Sequence, residues 1–251
     1  MKKNSQLNQI LFFTLFIAII LVVNNFIKES LLHNQITSYN IHLGVKTISN
    51  CILGLVSFFI AKKLALSSLG GLSKVTPKKL RLLIFPTLFL VLLNGLFMDT
   101  IPNYNSLNVF MLAIYCISIG ISEELSLRSV LLPLISRYFG NDRKAQVKAI
   151  VISALLFGLL HLIKFDKGLY GEISQVFFAT FIGLMFGALL VVIKRIYPLI
   201  IIHALIDFVA KLDSISLPVK EIVPKPMDLE NSLLSVLLTL PCLLYGIYII
   251  K

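Results

Sequence analysis

Apolar residues run along this chain in long stretches that short polar segments separate. A helix needs about 20 apolar residues to cross a hydrocarbon core about 30 Å thick. We expect eight membrane-spanning helices, at roughly 9–27, 47–61, 82–98, 108–136, 147–163, 173–193, 196–210 and 232–250. The pattern therefore predicts an all-α polytopic membrane protein with a single transmembrane domain over 1–251.

Some of these spans depart from the ideal length. The second, fifth and seventh are short, and we expect them to extend into their flanks. The fourth is long enough either to tilt strongly or to be two helices broken near an acidic pair, Glu123 and Glu124.

Composition and charge agree with this pattern. Charged residues make up only 14% of the chain and the mean hydropathy is +0.92, whereas soluble domains carry about 25% charged residues. With both termini placed in the cytoplasm, fifteen of the 23 Lys and Arg residues fall in the inside segments and seven in the outside segments. This bias predicts a cytoplasmic N-terminus and C-terminus. The net charge of +11 needs no nucleic-acid partner, because the basic residues lie mainly between apolar stretches.

The fourth span contains the sequence Glu123-Glu124-Leu125-Ser126-Leu127-Arg128. A charged side chain at the bilayer centre costs about 2.5–3.5 kcal/mol on insertion scales, so such residues usually mark a functional site. Glu124 and Arg128 are four residues apart and can pair on one helix face. Glu123 points elsewhere and is free to act as a general base. The structural alternative is an acidic cap at a helix break, with Arg128 as its counter-ion.

Two later spans each carry a histidine with a partner four residues away. His161 follows Phe157, whose ring would exclude water and fix the imidazole. His203 precedes Asp207, a carboxylate that can orient it. The alternatives are a histidine near a helix end that meets headgroups, and a polar pair that pins one helix to its neighbours.

The sixth span has a stripe of residues at every fourth position: Gln175, Ala179, Gly183 and Gly187. Small residues at this spacing allow close helix approach in membranes. We expect a tightly packed inner helix, and Gln175 alone of the four is able to reach the site.

Together these motifs resemble the CPBP family of intramembrane proteases, which includes CAAX prenyl endopeptidases and bacteriocin-processing or immunity (Abi) proteins. The likeness covers about 107–210, the four catalytic helices, in the order EExxxR, FxxxH and HxxxD, with the QxxxAxxxG stripe between the last two. The region 1–100 matches only as generic membrane helices.

The resemblance implies hydrolysis of a peptide bond within the membrane. Glu123 would be the general base on water, assisted by His161, and His203 with the residue at 207 would stabilise the oxyanion. Glu124 and Arg128 would hold the motif helix, and Phe157 would line the substrate pocket with Gln175. Some relatives carry Asn at the position of Asp207, so here the carboxylate is expected to orient His203 instead.

Residue 129 is a second departure from the family pattern, since a glycine often follows the arginine in relatives. Ser129 occupies that place here.

The resemblance leaves the use of a metal open. We favour a mechanism without a cofactor, based on glutamate. The alternative is a metalloendopeptidase in which Glu123, His161 and His203 hold Zn2+ and leave one coordination position open. The chain has no HExxH motif, and these three groups come from separate helices.

The expected partners are the lipid bilayer and a peptide or protein substrate with a membrane-associated segment. A chain rich in Lys, Asn, Ile and Leu looks like a bacterial member, in the plasma membrane, that processes or confers immunity to bacteriocin-like or pheromone peptides. Two other classes stay open: a proton-coupled transporter, since intramembrane Glu, His and Asp also build proton relays, and a catalytically silent regulatory scaffold.

Overall fold

The computed structural model describes residues 3–98, 100–140, 142–222 and 226–251. In these ranges the regular elements are helical. The α-helices are α1 (Lys3–His33), α2 (Tyr39–Lys63), α3 (Ile84–Leu96), α4 (Ser106–Glu123), α5 (Leu132–Phe139), α6 (Arg143–Leu160), α7 (Gly168–Ile193), α8 (Tyr197–Ala210) and α9 (Leu229–Ile250). Glu124–Leu131 is a π-helical segment, and His161–Ile163 is one of several short 3-10 turns.

The predicted all-α polytopic membrane fold is confirmed. Among the described residues, six helices are long and apolar enough to span a membrane, and two shorter apolar helices occupy Leu80–Leu96 and Tyr197–Ala210. All eight predicted stretches are therefore helical, but the third and seventh fall short of full spans. The cytoplasmic placement of both termini stays a prediction.

The boundaries of several helices differ from the predicted ones, those of α2 and α7 among them. Helix α2 begins at Tyr39, whereas the predicted span begins at 47. Helix α7 begins at Gly168, whereas the predicted span begins at 173. In both cases the first turns contain polar residues that reduce local hydropathy although their side chains have partners inside the protein. His42, for example, is buried and its Nε2 lies 2.7 Å from the carbonyl oxygen of Ile36.

The fourth span is continuous from Ser106 to Phe139. It is neither a plain α-helix nor two separate helices, because the π-helical segment joins α4 to α5 without a break. A reciprocal capping box starts it: Asn105 and Asn108 each accept a hydrogen bond from the other's backbone N–H.

Helix α7 is the central helix and packs between α6 and α9. Glycines make its close approach possible. A Cβ on Gly183 would lie 3.3 Å from Ala154, and one on Gly187 would lie 3.1 Å from Ile150, both on α6. The close packing predicted from the stripe of small residues is present. Helix α4 packs against α2 and α8, so the fourth span lies beside the helix that carries His203.

Candidate active site

The acidic motif lies where α4 passes into the π-helical segment. Glu123 is the last residue of α4 and Glu124 the first of the segment. In a π-helix each N–H bonds to the carbonyl five residues back, so the turn is wider than in an α-helix, and such turns are frequent at functional sites. The two neighbouring carboxylates have unequal surroundings: the Glu124 side chain is 0% exposed and that of Glu123 is 33% exposed.

One oxygen of Glu124 contacts both the π-helical segment and helix α8. Its Oε1 lies 3.2 Å from Arg128 Nη1 and 2.8 Å from His203 Nδ1. The Arg128–Glu124 contact is an ion pair whose geometry falls outside that of a hydrogen bond, and the guanidinium is 2% exposed. The predicted pairing of Glu124 with Arg128 is therefore present, and the same carboxylate also binds the histidine of α8.

Two aromatic rings surround the arginine. Its Cζ lies 4.9 Å from the centre of the Phe157 ring and 5.6 Å from that of Phe186. The negative faces of aromatic rings attract a cation, most strongly where water is excluded. The rings therefore offset part of the desolvation cost of Arg128, which a single buried ion pair would not cover.

Glu123 and His203 face each other. Glu123 Oε2 lies 3.5 Å from His203 Nε2. Because a carboxylate only accepts hydrogen bonds, the contact with Glu124 holds a proton on His203 Nδ1 and directs Nε2 toward Glu123. An accessible carboxylate beside an oriented imidazole is an arrangement suited to general acid–base chemistry.

His161 lies directly after α6, in the 3-10 turn His161–Ile163. Its ring meets the Phe157 ring edge to face, with centres 4.8 Å apart, so the predicted contact between residues four apart is present. His161 Nδ1 lies 2.9 Å from the carbonyl oxygen of Phe157. A carbonyl only accepts, so Nδ1 donates and the lone pair of the neutral ring is on Nε2. Phe157 thus contacts both His161 and Arg128, and it connects the second motif to the first.

The ion pair of Asp207 is formed with a residue other than the expected partner His203. Its Oδ2 lies 3.2 Å from Lys211 Nζ, one turn further along the chain. Asp207 also interacts electrostatically with His203 and His161. The carboxylate at the Nδ1 atom of His203 is Glu124, the place in which Asp207 was expected. The structure thus brings Asp207 to the site as a neighbouring charge that Lys211 balances.

Gln175 lies near the start of α7, where its Oε1 accepts a hydrogen bond of 2.7 Å from Lys167 Nζ. This hydrogen bond joins Gln175 to the loop after His161 and not to the carboxylates. Burial, reinforced by the charge of Lys164, lowers the pKa of Lys167.

A glutamate that the motifs did not include orders this same loop. Glu172 is 2% exposed, and its Oε1 accepts hydrogen bonds of 2.7 Å from the backbone N–H groups of Asp166 and Lys167. It holds the chain that follows His161 against the first turn of α7. A glutamate near the start of a helix is common, so its position in the sequence did not distinguish it.

Ser129 binds a distant loop. Its Oγ donates a hydrogen bond of 2.7 Å to the carbonyl oxygen of Gly70, in the connection between α2 and α3. A Cβ on Gly70 would lie 2.6 Å from the Ser129 carbonyl oxygen, so the two backbones touch. The departure from glycine at 129 is thus accommodated by a glycine on the facing chain.

The fit to a metal is poor in the described part of the chain. No group of three or more His, Cys, Asp and Glu side chains there is placed to hold a metal ion. In the alternative ligand set, His203 already has carboxylates near both ring nitrogens, and His161 binds a backbone carbonyl through Nδ1.

Part of the chain matches a known protein family. Residues 105–209 match the family model described as Rce1-like, type II CAAX prenyl endopeptidase. This match confirms the resemblance to the CPBP and CAAX endopeptidases. The matched range coincides with α4 to α8, the helices that carry all the motifs. No curated protein and no solved structure matches the chain.

The match and the fold support a general function. The chain is a multi-pass membrane protein, and the family whose model matches 105–209 is one of CAAX prenyl endopeptidases.

Proposed function

We propose that this protein hydrolyses a peptide bond by means of a water molecule that Glu123 activates. The observation that carries the proposal is the difference between the two carboxylates: Glu124 is buried and bound on the same oxygen by Arg128 and His203, while Glu123 is accessible and faces His203. A general base must reach water and substrate, and only the accessible carboxylate can do so.

In the proposed reaction Glu123 takes a proton from water, and the water oxygen attacks the carbonyl carbon of the substrate. His161 helps to hold that water through the lone pair on Nε2. His203, protonated on Nε2, donates to the oxyanion. The carbon–nitrogen bond then breaks, and the proton held by Glu123 passes to the leaving amine.

Glu124 and Arg128 support this chemistry from their buried positions. Glu124 fixes the orientation of His203, and Arg128 holds the Glu124 carboxylate in place. Phe157 separates His161 from Arg128 and lines the substrate side of the site. Asp207 contributes negative charge near both histidines while Lys211 balances it.

The proposal requires no metal. It is supported by the contacts of His203 and His161, which leave no three-ligand group in the described residues. Prolonged chelation is expected to leave turnover unchanged, and metal analysis of the purified protein tests the point. Turnover that chelation abolishes and zinc restores would favour the metalloendopeptidase instead.

For the substrate we propose a short membrane-associated peptide of the bacteriocin or pheromone kind, cleaved at a bacterial plasma membrane. The composition of the chain supports this class. Cells that produce the wild-type protein are expected to survive a bacteriocin-like peptide that kills cells with Glu123→Gln. Equal survival of the two would contradict the proposed substrate.

A cleavage assay tests the reaction itself. Purified protein in detergent is incubated with pools of lipid-anchored peptides of randomised sequence in heavy-oxygen water, and the products are identified by mass spectrometry. Hydrolysis places one solvent oxygen in the new carboxylate. Glu123→Gln, His161→Ala and His203→Ala are each expected to lower turnover by about 100-fold to 10,000-fold.

The matched control is Glu230→Gln, which removes an exposed carboxylate at the start of α9 and is expected to leave turnover unchanged. Each variant must unfold at the wild-type temperature for its loss to count. Wild-type cleavage by the Glu123 variant would remove this carboxylate from the mechanism, and dependence of solute uptake on Glu123 without any cleavage would favour a transporter.

A further inference from the structure

A groove runs along α7 between α6 and α9, at the end of the molecule where α6 begins. Its volume is about 410 Å³, which is within the usual range for ligand sites, about 300–1,000 Å³. The lining side chains are mainly apolar and come from all three helices; they include Arg143, Val147 and Ile150 of α6, Val191 and Val192 of α7, and Ile249 of α9. None of the candidate catalytic groups lines this groove.

Small residues determine where the groove ends. A Cβ on Gly187 would lie 3.1 Å from Ile150 of α6, and one on Gly246 of α9 would lie 2.5 Å from Leu184 of α7. Both neighbouring helices therefore press closely against α7 at this level. Nearer the end of α7, Val192 is only half-buried. One face of the last turns of α7 is thus left partly uncovered, and this face forms the floor of the groove.

Arg143 lies at the mouth of the groove and connects its two walls. Its Nη2 donates a hydrogen bond of 2.7 Å to the carbonyl oxygen of Ile250, and it also contacts that of Lys251. The residue is exposed, and a guanidinium has five N–H donors, so most of them stay available to a ligand. Val147 and Ile150 follow four and seven residues later on the same helix face. The groove therefore extends from a cation along an apolar wall for about 10 Å.

The mouth of the groove has an excess of positive charge. Lys144, Lys194 and Lys251 are exposed and lie within two residues of lining side chains. The carboxylate nearest to them in the chain is that of Asp142, which caps the first turn of α6. In the described part of the chain, no acidic side chain forms an ion pair with Arg143 or with these lysines. The mouth therefore favours an anionic ligand.

The opposite end of the molecule has a different balance of charge. There Lys28 lies 3.4 Å from Glu29, and Lys164 lies 3.1 Å from Asp166. Carboxylates of the chain itself thus neutralise lysines at that end. The cations around the groove lack such partners among the described residues, so an external anion has most to offer at this place.

We propose that the groove binds an anionic phospholipid, with its phosphate on Arg143 and one acyl chain along Val147, Ile150 and Val192. The mouth lies where three helices long enough to span a membrane begin or end, which is the level of lipid headgroups. A planar guanidinium matches the paired oxygens of a phosphate, and basic pockets between membrane helices bind anionic headgroups in this way. This inference is independent of the proposed hydrolysis.

The test compares two lipids that differ only in the headgroup. Purified protein in neutral detergent receives equal amounts of phosphatidylglycerol and phosphatidylcholine with the same acyl chains, and native mass spectrometry measures the ratio of the lipids retained. The choline cation cancels the phosphate charge of the second lipid. We expect phosphatidylglycerol to be retained about tenfold better, as one additional charge-assisted contact provides. Because both lipids compete for the same protein, the ratio does not depend on the stability of a variant.

Arg143→Gln is expected to bring this ratio close to one. Val192→Phe places a ring in the groove and is expected to lower the retention of phosphatidylglycerol about tenfold, and Val147→Phe should do the same from the opposite wall. The matched control is Arg81→Gln. Arg81 is exposed in the turn Leu80–Leu83, outside the groove lining but at the same end of the molecule, since Lys78 N–H bonds to the carbonyl oxygen of Ile193. That variant should keep the full preference.

Four results would overturn the proposal. The first is equal retention of the two lipids by the wild-type protein, and the second is a preference that survives Arg143→Gln. The third is an equal loss of preference in Arg81→Gln, which would assign the effect to diffuse surface charge. The fourth is unchanged retention in both phenylalanine variants, or displacement of the lipid by an equal concentration of soluble glycerol phosphate. Either form of this last result would show that only a phosphate binds and that the apolar groove takes no part.

Discussion

Helices α1 and α7 have nearly the same apolar character but opposite surroundings. In the most apolar window of α1 only 17% of residues are buried inside the protein, against 61% in α7. The difference comes from side-chain size, because α7 has Ala179, Gly183 and Gly187 where α1 has large side chains. Apolar residues are as compatible with lipid as with protein, so in a membrane it is close packing that selects an inner helix.

The same contrast applies to polar groups. The described polar contacts of the matched region 105–209 include a buried carboxylate, a buried guanidinium and two histidines, while α1 carries an ion pair at its exposed end. Equivalent substitutions should therefore have large effects between α4 and α8 and small effects in α1 to α3.

Removal of a buried charge partner gives the largest expected effect. Glu124→Gln leaves Arg128 charged and unpaired, so we expect the free energy of unfolding in mixed micelles to fall by about 3–5 kcal/mol. In α1, Glu29→Gln removes an exposed partner of Lys28 and should change it by less than about 1 kcal/mol. Similar losses in the two variants would show that the contrast is wrong.

Truncation of an aromatic side chain comes next. Phe186 is 1% exposed and contacts His203 and Arg128. Phe186→Ala should lower the free energy of unfolding by about 3 kcal/mol, since it leaves a cavity, and should also reduce turnover. Phe12 in α1 is 75% exposed, and Phe12→Ala is expected to be nearly neutral because lipid fills the space. A large loss from Phe12→Ala would indicate a protein partner on α1.

Adding one methyl group tests the packing of α7 against α6. A Cβ on Gly158 would lie 2.2 Å from Thr180 Oγ1 and 2.6 Å from the Val176 carbonyl oxygen, so Gly158→Ala should destabilise the protein by about 1–3 kcal/mol. Gly95 in α3 has open space around the same position. Gly95→Ala should therefore be neutral or slightly stabilising. Thermal unfolding of both variants in one detergent measures the difference.

Loss of a single hydroxyl gives the smallest effect. Ser129→Ala removes the hydrogen bond to Gly70 and should lower the free energy of unfolding by about 1 kcal/mol. Ser57 in α2 is also buried, but its Oγ has no hydrogen-bond partner in the described residues. Ser57→Ala should leave stability unchanged or raise it slightly. A greater loss at 57 than at 129 would contradict these assignments.

Much of this arrangement was predictable because helical periodicity acts over short distances. The Glu124–Arg128 and Phe157–His161 contacts join residues four apart, and both are present. The eight apolar stretches also coincide with helices, since their hydropathy is a local property.

Other contacts were not predictable because they join distant residues. Nothing in the spacing indicates that His203 binds Glu124 or that Ser129 binds Gly70. These contacts join residues that are 79 and 59 positions apart in the chain. Asp207 shows the limit most clearly. It has two suitable partners four residues away, His203 and Lys211, and only the packing of α8 places its carboxylate against the lysine.

The π-helical segment has one more consequence. An α-helix advances by about 100° per residue, so the wider turns between Glu124 and Leu131 shift the angular phase of α5 relative to α4. The face that α4 offers to α8 and the face that α5 offers to α6 are thereby set independently within one continuous rod. Shortening this segment by a single residue would rotate one end against the other, so its length sets the relative orientation of the two packing faces.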